Sequence, residues 1–204
     1  MGCLEGSRAY LCGAVEAAGD PNSWRDEFTN LSKNLNLRII NPMVKPGWVP
    51  PISPTWQIKA KEIVLSKDVV KRDRTILWNG IVRKWCLGMV RVCDFVIVKI
   101  TGEFTVGTFE ELKVAEWKPI FVICDKKIPS MWLVDQLGLY DTLDLYVHED
   151  VQSLVKTLGD IDAERIKTDL DPFKWMFLSK FLFGQGCSEW DDRAAAEKVW
   201  KYGL

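Results

Sequence analysis

The run Cys93-Asp94-Phe95-Val96-Ile97-Val98, followed by Thr105-Val106-Gly107-Thr108-Phe109-Glu110-Glu111-Leu112-Lys113-Val114-Ala115, carries the most chemistry in this chain. A buried strand feeds a short loop, and the loop opens a helix whose first turn bears two carboxylates. Gly107 lets a ligand approach the backbone closely, and Thr105 or Thr108 can cap the exposed amides. A carboxylate near a helix N-terminus is held in its ionised form by the helix dipole. Val114 and Ala115 follow Glu111 at three and four positions, which turns Glu111 to the core side while Glu110 leans toward solvent. A half-buried, ionised Glu at the carboxyl end of a strand suits a nucleophile toward a sugar carbon. An ordinary solvated helix start fits the same spacing, so the wider pattern has to decide between them.

The elements that must position these residues follow from hydrophobic period. Apolar runs predict strands over Arg8–Cys12 (stopped by Gly13), Leu37–Ile40, Asp94–Ile100, Pro119–Cys124 and Leu143–Val147. Helices are expected over Ser23–Leu35, Gln57–Val70, Thr75–Val92, Gly107–Trp117, Pro129–Leu137 and Asp150–Leu158, with residues 43–56, rich in Pro, as a long ordered loop. Strands alternating with helices give an α/β fold, a flavodoxin-like five-stranded parallel sheet with helices on both faces, because parallel crossovers need helices. Ligands in such sheets bind at the carboxyl ends of the strands, where strand order reverses. The alternation stops near residue 160, so residues 1–159 read as the α/β domain and 160–204 as a helical C-terminal extension with an apolar stripe of Trp175, Phe177, Leu178, Phe181 and Leu182.

Composition narrows the function. With 27 basic and 28 acidic residues the net charge is −1, which argues against a nucleic-acid polymer held through its phosphates. The single His, His148, reads as a surface residue past the fifth strand, and one His excludes a multi-His metal site; no metal and no cofactor is expected. The six Cys show no C-x-x-C pair or zinc-ribbon spacing and read as reduced, mostly buried small hydrophobes in a cytoplasmic protein. No apolar run reaches the ~18 residues of a membrane span, so no membrane association is expected.

Four stretches together resemble the nucleoside 2-deoxyribosyltransferase family, which includes nucleotide N-glycosidases. They are Tyr10-Leu11-Cys12-Gly13 with Trp24-Arg25, then Ile39-Ile40-Asn41-Pro42, the Cys93–Val98 and Val106–Ala115 run, and Lys118-Pro119-Ile120-Phe121-Val122-Ile123. The resemblance covers roughly residues 8–158 and implies cleavage or transfer at the N-glycosidic bond of a deoxynucleoside or deoxynucleotide. It places the nucleophilic glutamate at Glu111, with Tyr10, Gly13, Trp24, Arg25, Asn41, Thr105, Gly107 and Thr108 as substrate-binding candidates. A homodimer or larger homo-oligomer is also implied.

Two positions depart from the family pattern. Thr105 stands where nucleoside-specific members carry Asp and nucleotide glycosidases typically carry Ser, which tips the expectation toward a 5′-monophosphate. Cys86 stands where the family has its second catalytic Asp. Asp73, in Lys71-Arg72-Asp73-Arg74, and Glu103, in the loop after the third strand, are the alternative acids. Asp94, at the start of its strand, reads as a structural cap. Tyr10, Trp24, Trp48 and Trp56 are candidate stacking partners for a base, and Arg25 or the 71–74 cluster could meet a phosphate. A catalytically inactive nucleotide-binding protein on the same fold is the alternative, and a partner-binding protein using the C-terminal aromatics a third reading.

Overall fold

The computed structural model describes residues 2–15, 20–50, 53–100, 105–115, 118–124 and 146–166. Among them, β1 (Arg8–Gly13), β2 (Arg38–Ile40), β3 (Phe95–Ile100), β4 (Ile120–Cys124) and β5 (Val147–His148) form one sheet in the order β2-β1-β3-β4-β5. Every pairing is parallel, with Tyr10 beside both Ile40 and Val96, and Gly13 beside Lys99. The central strands β1, β3 and β4 are buried almost throughout, which is why they read as continuous apolar runs rather than alternating ones. Strand order reverses between β1 and β3, so the crevice at their carboxyl ends is the place for a ligand.

The helices are α1 (Ser23–Leu31), α2 (Pro54–Leu65), α3 (Val69–Val92), α4 (Val106–Val114) and α5 (Val151–Asp162). α1 packs against α5, while α3 packs against α2 and α4, giving a helical layer on each side of the sheet. The expected flavodoxin-like α/β architecture is therefore the one observed. Phe28, Phe95, Phe121, Leu112 and Leu154 are fully buried between the layers. α5 is held at its start by a reciprocal capping box between Asp150 and Ser153. It continues to Asp162, past the expected end at Leu158, and Leu4 donates its backbone N–H to the Asp162 carboxylate at 2.7 Å.

Several boundaries differ from the sequence reading, each for a local reason. α1 closes at Leu31 and a separate 3-10 turn covers Lys33–Leu35. The Pro-rich loop ends earlier, because Ser53 caps a helix that Pro54 opens, and Trp56 is helical. The break between α2 and α3 falls at Ser66–Asp68 rather than after Val70, because the Asp68 carboxylate accepts the Lys71 backbone N–H. His148 is buried, ring-stacked on Phe121, and not a surface residue, because β5 pairs it beside Ile123 inside the sheet. The expected helix over Pro129–Leu137, residues 143–145 and the C-terminal aromatic stripe lie outside the described residues, and no described helix is long and apolar enough to cross a membrane.

Asp94 behaves as the cap the sequence suggested. Its Oδ2 accepts the Arg8 backbone N–H at 2.7 Å and Arg8 Nε at 3.4 Å, while its own N–H donates to the Arg8 carbonyl at 2.8 Å. Both side chains are buried, so the pair fastens the starts of β1 and β3 together.

Candidate active site

A cavity of about 420 Å³ opens at the carboxyl ends of β1 and β3, within the roughly 300–1,000 Å³ typical of small-molecule sites. α3 presents Asn79, Val82, Arg83 and Cys86 to it at helical spacing, and α4 presents Thr105, Gly107, Glu110 and Glu111 from its first turns. Gly13 and Gln57 complete the wall. A side chain at Gly107 would meet nothing within 4 Å, so the α4 backbone is open to a ligand there.

Glu111 is half-buried and held on both carboxylate oxygens. Tyr10 Oη donates to Oε1 at 2.7 Å, and the Cys12 thiol donates to Oε2 at 3.0 Å. Both donors stand on β1, two residues apart, so the alternation of the strand delivers them to one face. Burial pushes the Glu111 carboxyl above its ordinary range, and the two donors with the Arg25 and Lys45 cations offset only part of that. Burial also raises the Tyr10 phenol and the Cys12 thiol, and takes Cys86 up to about 12, so these groups are neutral donors at physiological pH. Glu110 lines the same cavity but is held by an ion pair. Arg83 Nε donates to its Oε2 at 2.6 Å, with a second contact from Arg83 Nη2 to Oε1, and this pairing keeps the Glu110 carboxyl below its ordinary value.

The other sequence candidates divide. Thr105 caps α4, accepting the Thr108 backbone N–H at 3.4 Å, with the two hydroxyls 2.9 Å apart and the Val106 and Gly107 amides left beyond the cap. Tyr10 is not a stacking platform: it is fully buried, and its hydroxyl belongs to Glu111. Trp24 is buried beneath the β1 loop with the Arg25 guanidinium 4.7 Å from its ring, so it does not offer a face to a base. Arg25 is corrected as well. Its guanidinium donates to the carbonyls of Leu11 at 3.3 Å, Gly13 at 3.2 Å and Pro21, which commits it to shaping the β1–α1 connection rather than to a phosphate. Asn41 faces a different, neighbouring cavity, and its Oδ1 accepts the Met43 N–H at 2.9 Å.

Asp73, the alternative acid within the described residues, is not brought to Glu111. Asp73 is 66% exposed and pairs with its neighbour Arg72; thirteen helical positions separate it from Cys86, a rise of about 20 Å along α3. Glu103 lies outside the described residues. Among the described residues no group of three or more His, Cys, Asp or Glu could hold a metal ion.

Gly13 is needed for packing. A Cβ there would sit 3.2 Å from the Lys99 carbonyl oxygen, 3.3 Å from Trp24 Cζ2 and 3.4 Å from Arg25 Nη2. Gly13→Ala is therefore expected to cost about 1–3 kcal/mol, the usual range for overpacking, measured by equilibrium urea unfolding.

Sequence reasoning missed Lys45 and did not see the role of Cys12. Lys45 sits between Pro42 and Pro46 in the loop after β2, and a lone Lys inside a Pro-ordered loop at a strand's carboxyl end was the available signal. Cys12 gave none beyond its place next to Gly13.

No family model matches the chain, and no curated protein matches it. Among solved structures it is similar to the CMP N-glycosidase BcmB of Clostridium botulinum, at 12% identity and a TM-score of 0.40, covering 75% of this chain and 98% of that one. At that level of likeness, the chemistry of this chain rests on its own cavity.

Proposed function

We propose that this protein cleaves or transfers the N-glycosidic bond of 2′-deoxynucleosides, preferably as their 5′-monophosphates, with Glu111 as the nucleophile. The observation that carries this reading is the Glu111 carboxylate, aimed into a nucleoside-sized cavity and held by Tyr10 and Cys12. An ionised carboxylate keeps lone pairs free beyond the two that accept these donors, so it is fixed in place and still able to attack. In the reaction Glu111 bonds to C1′ as the C1′–N bond breaks and its electron pair leaves with the base. Water or a second base then takes the sugar and frees the carboxylate. The transition state is oxocarbenium-like, and the adjacent anion stabilises it. The open backbone at Gly107 and the N-terminal amides of α4 beside Thr105 support a monophosphate, since a helix start offers unpaired N–H groups to an anion.

A second reading is favoured by a specific observation. Cys86, where a carboxylic acid would assist the departing base, has its thiol pushed up to about 12 and is a poor proton donor near neutrality. A nucleotide-binding protein without turnover would have this appearance. Incubation with each deoxynucleoside and deoxynucleotide, with and without an acceptor base, separates the two when free base is followed by chromatography. Base release, faster from the monophosphates, is the expected result. Tight nucleotide binding with no release supports the inactive reading instead.

A further inference from the structure

A second cavity, of about 640 Å³, lies against the neighbouring face of α3 and is lined by Asn41, Lys45, Trp48, Trp85 and Met89 among others. Trp85 and Cys86 are consecutive on α3 and each lines one of the two cavities, and Lys45 is near enough to Cys86 and Glu111 for their charges to act on one another. We propose that Lys45 is the proton donor to the departing base, a role that Cys86, on the α3 wall beside Glu111, does not fill. This inference rests on the proposed glycosidic chemistry and adds the residue that completes it.

The loop after β2 folds the Lys45 side chain inward. Its Nζ lies 5.3 Å from the centre of the Trp85 ring, and one of its protons goes to the Pro42 carbonyl. The other two are available, because among the described residues no carboxylate forms an ion pair with it. Trp85 is 6% exposed, and its indole Nε1–H has no hydrogen-bond partner among the described residues. A buried donor left unpaired costs about 1–3 kcal/mol, so a cavity wall offering an indole N–H and an ammonium calls for a ligand edge made of acceptors. The carbonyl and ring-nitrogen edge of a nucleobase is such an edge.

The charged and titratable groups around Lys45 are Cys86 of α3, Glu111 of α4, and Arg25 and Asp26 of α1. Burial lowers the Lys45 ammonium from its ordinary range, with Arg25 acting in the same direction and Glu111 against it. A donor so lowered transfers its proton more readily near neutrality than an ordinary lysine. In the step, the C1′–N electron pair moves onto the base as the Lys45 proton goes to a ring nitrogen or carbonyl oxygen, leaving a neutral amine. The water that later attacks C1′ returns a proton to Lys45 as Glu111 departs, so atoms and charge balance over the cycle.

The test pairs a deoxynucleotide that the wild type accepts with an analogue whose base leaves without protonation, an N7-methylated purine or a 5-nitropyrimidine. Lys45→Met is expected to slow base release from the first by about 10²–10⁴-fold, the usual worth of general acid catalysis, and from the second by less than about tenfold. Lys45→Arg, which keeps the charge but holds its proton, is expected to leave KM near the wild-type value, lower kcat and remove the alkaline fall in the pH profile. Equal losses on both substrates in Lys45→Met, with a native circular dichroism spectrum, or no loss on either, overturn the role of Lys45 alone. If the wild type releases base from neither substrate, the glycosidic reading falls and the role of Lys45 with it.

Discussion

Glu111→Gln is expected to slow base release by about a thousandfold or more, because a neutral amide cannot form and release the bond to C1′. The same substitution is expected to raise the melting temperature at neutral pH. Burial holds the Glu111 carboxyl above its ordinary range in the folded protein, so the folded state binds its proton more tightly than the unfolded chain does. The stability contributed by that proton is fully present below the ordinary carboxylate range and is lost as pH rises through the elevated one. The Gln side chain does not titrate. The gap in melting temperature between Glu111→Gln and the wild type should therefore be widest above the elevated range and should close as the solution is acidified. Activity has the opposite dependence, since attack requires the ionised carboxylate, and base release should fall as pH falls through the same range. A nucleophile that costs stability at the pH where it works is what a functional carboxylate predicts. Scanning calorimetry across pH, beside initial rates, checks both. A melting temperature that drops in Glu111→Gln at every pH would mean that the carboxylate is a structural partner of Tyr10 and Cys12. Glu110→Gln is the internal contrast: it removes a pair with Arg83 in the cavity wall but no bond to C1′, so it should slow base release far less than Glu111→Gln does.

Asp94→Ala should be the most destabilising single change in the described fold. It removes the acceptor of both the Arg8 backbone N–H and the Arg8 guanidinium at a place where neither partner reaches water. Breaking a buried pair by deleting one side typically costs about 3–5 kcal/mol. Equilibrium urea unfolding should show the midpoint falling with the slope unchanged. The double replacement Arg8→Leu/Asp94→Leu should recover much of the loss, because no charge is then stranded. Asp94 lies at the opposite end of β3 from the Glu111 cavity, so base release by Asp94→Ala well below its melting temperature should match the wild type.

Much of the architecture was readable along the chain. β1, β3 and β4 are short apolar runs bounded by breakers, and their parallel arrangement follows from the helices between them. The inward turn of Glu111 was also readable, because its spacing from Val114 and Ala115 is a local, helical quantity. Helix ends set by one side chain were less so. Asp68 moved the α2–α3 break by accepting a single N–H, and Ser53 with Pro54 converted the end of a Pro-rich loop into a helix. His148 was misread because a two-residue strand carries too little period to show which of its side chains turns to the core.

The roles of the charged and aromatic candidates needed three dimensions. Arg25 had the composition of a phosphate contact, but three backbone carbonyls around the β1 loop consume its donors. Tyr10 and Trp24 were candidate stacking faces, but β1 buries the first in the sheet and α1 turns the second into the core. The sequence by itself determined a parallel α/β sheet, ligand sites at the carboxyl ends of its strands, and a glutamate on the core side of its helix, all consequences of short-range periodicity and of the helices that parallel strands require. Only the tertiary structure decided what surrounds that glutamate. Tyr10 lies 101 positions from Glu111 and Cys12 lies 99, while Lys45 arrives from the loop after β2. Such partners depend on strand register and on the offset of whole helices. No local pattern encodes either, because the free energy that sets them is summed over the entire core.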